Sequence, residues 1–181
     1  MLKYTLLGFL NYQSYSGYDL KQMMDVSTSN FWHAKQSQIY TTLKKLEQDE
    51  LVISHIEPQE RRPNRRVYEI TEAGQADLRE WLVQPLMTIE PHKETLLLKL
   101  FFSAQLNPQT ILTELRLQRN LHQAKLEKYQ TTTKEVIRQF AASTDMADDA
   151  RLWETTRRFG ELFEEMYIRW LDETIEMVER W

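Results

Sequence analysis

The residues best equipped for chemistry lie in one stretch, QERRPNRRVYEIT, from Gln59 to Thr71. Arg61, Arg62, Arg65 and Arg66 flank a Pro-Asn pair, followed by the alternating segment Val67-Tyr68-Glu69-Ile70-Thr71. Taken alone, the stretch reads as a flexible basic linker, a targeting signal, or a hairpin tip that touches something negative. A second basic region precedes it. From Ser27 to Leu46 there is no acidic residue, while His33, Lys35, Lys44 and Lys45 are present. The acids gather elsewhere, at Glu161, Glu164, Glu165, Asp172, Glu173, Glu176 and Glu179. The net charge of −4 opposes nonspecific nucleic-acid binding, but the distribution of charge matters more than its sum.

Other chemistry finds little support. The absence of cysteine excludes disulfides and thiolate chemistry and fits a reducing cytoplasm. His33, His55, His92 and His122 are scattered without metal-ligand spacing. Glu161, Glu164 and Glu165 resemble part of a carboxylate cluster, but without a Glu-x-x-His partner they read as a solvated face. There is no Gly-rich phosphate loop and no nucleophile–base arrangement. The expectation is therefore no enzyme, no metal and no cofactor. The most apolar run, Leu96 to Phe102, is too short to span a bilayer and contains Lys99. The start lacks a basic n-region and a cleavage site, so no signal peptide and no membrane partner are expected.

The elements that must position the arginines follow from periodicity. Apolar residues make up 41% of the 181 and charged residues 28%, with few glycines and prolines; this favours long helices. Residues 2–12 predict a helix, and Ser16-Gly17 opens a second over Tyr18–Met24. Asp25–Asn30 reads as a loop, anchored in the core by Phe31 and Trp32. A third helix runs from about Lys35 to Gln48. Ile39, Leu43 and Leu46 share its inner face, while Ser37, Gln38, Thr41, Lys44, Lys45 and Gln48 fall on the other, with Tyr40 on the flank. Leu51–Glu57 and Arg66–Thr71 suit strands around an eight-residue tip. Thr71 then caps a further helix that stops before Pro85. Helix, helix, helix, strand, hairpin, strand, helix is a winged helix-turn-helix, with the second and third helices as the DNA-reading pair and the hairpin as the wing.

Beyond the proline-bracketed segment Pro85–Pro91 the pattern changes to long helices: about His92–Ala104, Pro108–Ala142 and Asp148–Trp181. The middle helix carries a broken heptad seam: Leu112, Leu115, Arg119, His122, Leu126, Tyr129, Thr133, Val136 and Phe140. The last carries Phe159, Phe163, Met166, Trp170, Thr174, Met177 and Trp181, widened by a second stripe of Tyr167, Leu171, Ile175 and Val178. Such apolar helices need partners, and a second copy of the chain is the simplest source. The fold class expected is mainly α with a small β-hairpin: a winged-helix domain over 1–86 and a helical dimerisation domain over 87–181.

The chain resembles the PadR family of bacterial transcriptional regulators. The residues that carry the resemblance are LLGFL, SGYDL (Ser16–Leu20), FW with SQIYTTLKKLE (Ser37–Glu47), LVISHIEPQE, the RRPNRRVYEIT wing, and TEAGQADLREWL (Thr71–Leu82). Two positions depart from the family pattern. Thr41 stands where proline is common, and Glu50 stands where glycine often begins the turn into the wing. The resemblance implies a homodimeric DNA-binding regulator, usually a repressor; a homodimer is expected to bind a roughly palindromic operator, and the lack of cysteine fits the cytoplasm. Its C-terminal helices dimerise, and some members sense small aromatic molecules.

The expected DNA-reading residues are Ser37, Gln38, Tyr40 and Thr41, with Lys44 and Lys45 on phosphates. Arg61, Arg62 and Arg65 form the tip of the wing, while Arg66 at the strand base pairs with Glu57 or Glu69. Tyr18 and Lys21 are candidates for the DNA backbone. Phe159, Phe163, Met166, Trp170, Met177 and Trp181 are expected at the dimer interface. Trp153 and Trp170 are candidates for an aromatic ligand. The alternatives are a winged-helix protein-interaction module that does not read DNA, and a helical-bundle enzyme.

Overall fold

Ser16 sets the frame of the N-terminal part of the chain. It closes a two-residue strand, β1 (Tyr15–Ser16), and caps the helix that follows, α2 (Gly17–Ser27). The computed structural model describes residues 1–28, 31–58, 64–89, 93–143 and 146–181, with the side chains of 140, 142 and 143 left aside. The described residues form two compact units, Met1–Ile89 and Glu90–Trp181.

In the first unit, α1 (Leu2–Leu10), α2 and α3 (Gln36–Gln48) precede β2 (Val52–Glu57), β3 (Arg65–Ile70) and α4 (Glu72–Val83). The sheet has three antiparallel strands in the order β1-β3-β2, so the expected hairpin gains a strand. Tyr15 and Ser16 pair with Tyr68 and Val67. A two-residue strand has too little alternation to be legible in sequence. Leu6, Leu7, Leu10, Leu20, Met24, Ile39, Leu43, Leu46, Val52 and Leu78 fill one apolar core, as the helical spacing of α3 predicts. Tyr4 stacks on Trp81 at 4.5 Å, which ties α1 to α4.

Two expectations are corrected here. Asp25, Val26 and Ser27 belong to α2, so the loop before α3 is shorter than expected. Phe31 and Trp32 do not anchor it, being 55% and 37% exposed. Their backbone N–H groups both donate to the Thr28 carbonyl, and Ala34 is the residue that enters the core instead.

The end of α3 meets the problem posed by Glu50. Its φ is +58°, the left-handed region that glycine takes most easily. The Leu51 N–H reaches back to the Leu46 carbonyl at 2.9 Å, which closes a Schellman-type stop. The Thr71 hydroxyl donates to the Glu50 carbonyl at 2.8 Å and accepts from the Gly74 N–H at 3.0 Å. One threonine thus caps α4 and holds the turn. A Cβ on Gly74 would lie 2.1 Å from the Leu51 carbonyl oxygen, so this close approach requires glycine.

The second unit holds α5 (Thr95–Phe101), a 3-10 turn (Ser103–Gln105), α6 (Pro108–Lys128), a π-helical turn (Tyr129–Thr133), α7 (Lys134–Ser143) and α8 (Ala147–Glu179). The start expected for the first of these helices, His92, lies outside the described residues. The expected helix over 108–142 exists but is interrupted by the π turn, which shifts the phase of its seam. Asn107 caps α6 through the Gln109 N–H, with Pro108 as its first residue. Arg116 meets Glu179, Arg119 meets Asp172 and Lys125 meets Glu164, so α6 and α8 run antiparallel. Among the described residues no helix is long and apolar enough to cross a membrane.

Candidate nucleic-acid interface

The outward side of α3 is built as its periodicity predicts. Ser37, Gln38, Tyr40, Thr41, Lys44 and Lys45 are all exposed. The Gln38 Oε1 accepts from the Lys35 N–H at 2.8 Å and so caps the helix. Thr41 donates its hydroxyl hydrogen to the Ser37 carbonyl at 2.9 Å, and Thr42 does the same to the Gln38 carbonyl at 2.8 Å. Ser37, Gln38, Thr41 and Thr42 line a shallow cleft with Leu2 of α1. The Tyr40 ring lies over α2. A Cβ on Gly17 would approach it to 2.6 Å, so the glycine of SGYDL lets the two helices close on this tyrosine.

SGYDL does more than begin a helix. Ser16 and Asp19 form a reciprocal capping box: the Asp19 N–H donates to the Ser16 Oγ at 3.2 Å, and the Ser16 N–H donates to the Asp19 carboxylate at 2.9 Å. The same carboxylate oxygen accepts from Arg65 Nη2 at 2.7 Å. Sequence reasoning missed Asp19, although the S-x-x-D spacing signals it. The Tyr18 ring is exposed and its hydroxyl accepts from Gln22 at 2.9 Å. Lys21 pairs with Asp25 one turn on.

The wing arginines divide. Arg61 and Arg62 lie outside the described residues, along with the rest of the tip, 59–63. Arg65 is not at the tip; it is the first residue of β3, opposite Glu57 and bonded to Asp19. Arg66 pairs with neither Glu57 nor Glu69. Its Nη2 reaches both oxygens of Glu47 on α3 at 2.9 Å, and its Nε donates to the Ser54 hydroxyl at 2.8 Å. Strand alternation gives the reason. Residues 66, 68 and 70 share one face of β3, whereas Glu69 falls on the other and Glu57 opposes Arg65. The guanidinium also sits 5.6 Å over the Tyr68 ring. The Ser54 hydroxyl bond first, then the charge of Arg66, hold the Glu47 carboxyl below its usual range. Arg66 therefore fastens the wing to α3.

The second unit corrects the view of its carboxylates. Glu164 is fully buried and Glu161 nearly so; only Glu165 is exposed. His122 Nδ1 bonds one Glu164 oxygen, and Lys125 Nζ lies 3.0 Å from the other. Glu161 is held by Arg157 and Arg158 at 3.1 and 2.7 Å, with its carboxyl lowered chiefly by the Arg158 bond. The partners of Glu164 come from another helix, so no spacing within α8 could reveal them. His122 stacks on Tyr167 at 3.9 Å. Arg157, itself buried, donates to the Tyr129 carbonyl at 3.0 Å, beside the π turn. Burial pushes the Tyr129 and Tyr167 phenols up to about 12, with nearby glutamates adding to the effect.

Of the residues expected at a dimer interface, Phe159, Met166, Met177 and Trp181 are exposed. Phe163 and Trp170 are half-buried and pack against their own unit's core. The stripe of Tyr167, Leu171 and Val178 is the one α8 buries. Phe140, the last residue of the expected α6 seam, lies outside the described side chains, and Val136 is exposed. Trp153 and Trp170 both lie on the continuous α8, 17 residues apart. That is about 25 Å at the helical rise, so within one chain they do not line one small pocket. Trp170 meets Tyr167 edge-on at 5.2 Å. Among the described residues no cluster of His, Asp and Glu could hold a metal ion.

The comparisons with known proteins bear on this arrangement. A sequence model described as the transcriptional regulator PadR-like family matches residues 6–80, and one described as virulence activator alpha C-term matches 92–179. The chain is 27% identical to the negative transcriptional regulator PadR of Bacillus subtilis over 180 residues, 99% of this chain and 98% of that one. The crystal structure of that PadR with operator DNA superposes with a TM-score of 0.82 at 28% identity, covering 98% of each chain. This chain belongs to the PadR family. PadR proteins are transcriptional regulators and not enzymes, so the winged helix described above is that of a DNA-binding regulator. The Bacillus subtilis PadR solved with p-coumaric acid superposes with a TM-score of 0.77 at 26% identity, again covering 98% of each chain.

Proposed function

We propose that this PadR-family protein is a cytoplasmic repressor that binds a palindromic operator as a homodimer and is released by a small aromatic effector. The observation that carries the proposal is the outward face of α3, which is polar, basic and free of acids until its C-terminal end, in a chain similar to a PadR solved on operator DNA. Ser37, Gln38, Tyr40 and Thr41 meet base edges, and Lys44 and Lys45 meet phosphates. Arg61, Arg62 and Arg65 carry the wing's contacts, with Tyr18 and Lys21 at the backbone. Arg65 and Lys21 must exchange a surface ion pair for phosphate, a small cost because such pairs contribute little. The exposed Phe159, Met166, Met177 and Trp181 meet their counterparts in the second copy, with Phe163 and Trp170 at the edge of that contact. The two copies of α3 then lie about one helical turn, roughly 34 Å, apart.

The effector is proposed by similarity to the PadR solved with p-coumaric acid. Trp170, with Tyr167 beside it, is the better placed of the two candidate tryptophans.

Selection of bound genomic fragments with purified full-length protein tests the proposal. A two-fold-symmetric motif is expected, with binding that weakens as salt rises. Lys44→Ala with Lys45→Ala should reduce the salt slope by about one for each phosphate contact removed. p-Coumaric acid should weaken binding. Failure to enrich any fragment would sink the regulator function, and an unchanged salt slope would sink the assignment of the two lysines.

A further inference from the structure

Before any duplex arrives, the hydrogen-bond polarity of the α3 reading face is set by bonds within the helix itself. The Lys35 backbone N–H can only donate, so the Gln38 side-chain atom 2.8 Å from it must be the carbonyl oxygen. The other end of that exposed carboxamide is then Nε2, which carries two donor hydrogens and no acceptor. One turn on, Thr41 has given its hydroxyl hydrogen to Ser37. What it can still offer is a lone pair and a methyl group. Glutamine in the major groove commonly matches adenine by donating to N7 and accepting from N6. Gln38 is poorly disposed to do this, because its carbonyl oxygen is turned to the Lys35 N–H and keeps only its second lone pair.

We infer that Gln38 is a specificity determinant that meets the base with its Nε2 donor and selects guanine in each half-site, with Thr41 as a neighbouring acceptor. This rests on the DNA-reading function proposed above. Guanine presents N7 and O6, two adjacent acceptors, to the major groove. Adenine sets an amino donor beside its N7, thymine offers one acceptor next to a methyl, and cytosine offers only a donor. An amide that presents its donor end to the groove therefore favours guanine and disfavours cytosine most. The cap and the specificity are one device: the oxygen that closes the helix turns the nitrogen toward the base.

Substitution can invert the device without dismantling it. In Gln38→Glu one carboxylate oxygen still accepts the Lys35 N–H, and an acid suits the first turn of a helix. The outward atom becomes an acceptor. Full-length wild type, Gln38→Glu, Gln38→Ala and Thr41→Val should each be selected against a library of randomised duplexes, with thermal melts to check folding. The wild type should enrich a guanine in each half-site. Gln38→Glu should exchange that guanine for cytosine, with relative enrichment changing about tenfold or more. Gln38→Ala should flatten the same position and leave the rest of the motif. Thr41→Val should relax an adjacent position.

The same motif from wild type and Gln38→Glu, or from wild type and Gln38→Ala, overturns the inference. If the added charge abolishes binding by Gln38→Glu, the uncharged alanine variant decides alone. A wild type that enriches no motif sinks the DNA-reading function itself, which is a different outcome from a motif indifferent to residue 38.

Discussion

The two units handle charge in opposite ways. In Met1–Ile89 the core is apolar, and the ion pairs Lys3–Asp77, Arg65–Asp19 and Arg66–Glu47 lie outside it, tying element to element. In Glu90–Trp181 a glutamate is sealed between α6 and α8 with histidine and lysine partners, while large apolar side chains of α8 face outward. A buried charge is retained only when its partners come with it, and an apolar stripe left outside calls for a cover. The first unit resembles a finished small domain with a polar working face. The second resembles half of a larger core. The difference follows from the two jobs proposed, one to meet a polyanion and the other to meet a copy of itself.

Three tests would break or sharpen that contrast. The largest effect is expected at Gly74. Alanine there drives its Cβ into the Leu51 backbone carbonyl, at 2.1 Å, and backbone cannot step aside as a flexible side chain can. Urea unfolding of Gly74→Ala should show a loss of about 3 kcal/mol or more. An unchanged midpoint would mean that α4 does not sit on the turn after α3.

Next comes His122→Phe, which keeps a ring on Tyr167 but strips Glu164 of one partner. A loss of about 3 kcal/mol is expected, because the carboxylate stays buried with less to offset it. Adding Glu164→Leu should recover most of that loss, since apolar replacement of a buried pair is often neutral. By contrast, Arg119→Ala removes a pair whose members are each more than a third exposed and should cost under about 1 kcal/mol. Equal losses at the two sites would erase the distinction between buried and surface charge in this unit.

The smallest effect is a gain. Glu50→Gly relieves a left-handed non-glycine residue, worth about 1–2 kcal/mol, against roughly 0.5–1 kcal/mol of added chain entropy in the unfolded state. A net stabilisation of about 0.5–1 kcal/mol should appear in the same unfolding measurement, and a loss would show that the Glu50 side chain has a structural role of its own.

How much was legible in the sequence differs by unit for a physical reason. Local rules carried the first unit well. The 3.6-residue spacing of Ile39, Leu43 and Leu46 and the cap at Thr71 are consequences of near neighbours along the chain, while the demand at Glu50 was flagged by the family pattern. The errors there came where a partner was remote. Arg66 met Glu47 instead of a residue on its own hairpin, and Phe31 and Trp32 stayed outside. In the second unit, spacing found the stripes on α8 but could not say which one the chain would bury and which it would leave exposed.

The sequence by itself determined the succession of elements, the basic outward face of α3 and the family to which the chain belongs, because periodicity, capping and motif order are written locally. Only the folded structure decided three things: that Glu164 is an interior group, that Arg65 and Arg66 act within the fold on Asp19 and Glu47, and that Gln38 turns its oxygen to the Lys35 N–H. The first two depend on atoms brought together from separate helices and strands. The third spans only three residues, but it required knowing where α3 begins, since the same glutamine one turn later would have had no unsatisfied N–H to accept from.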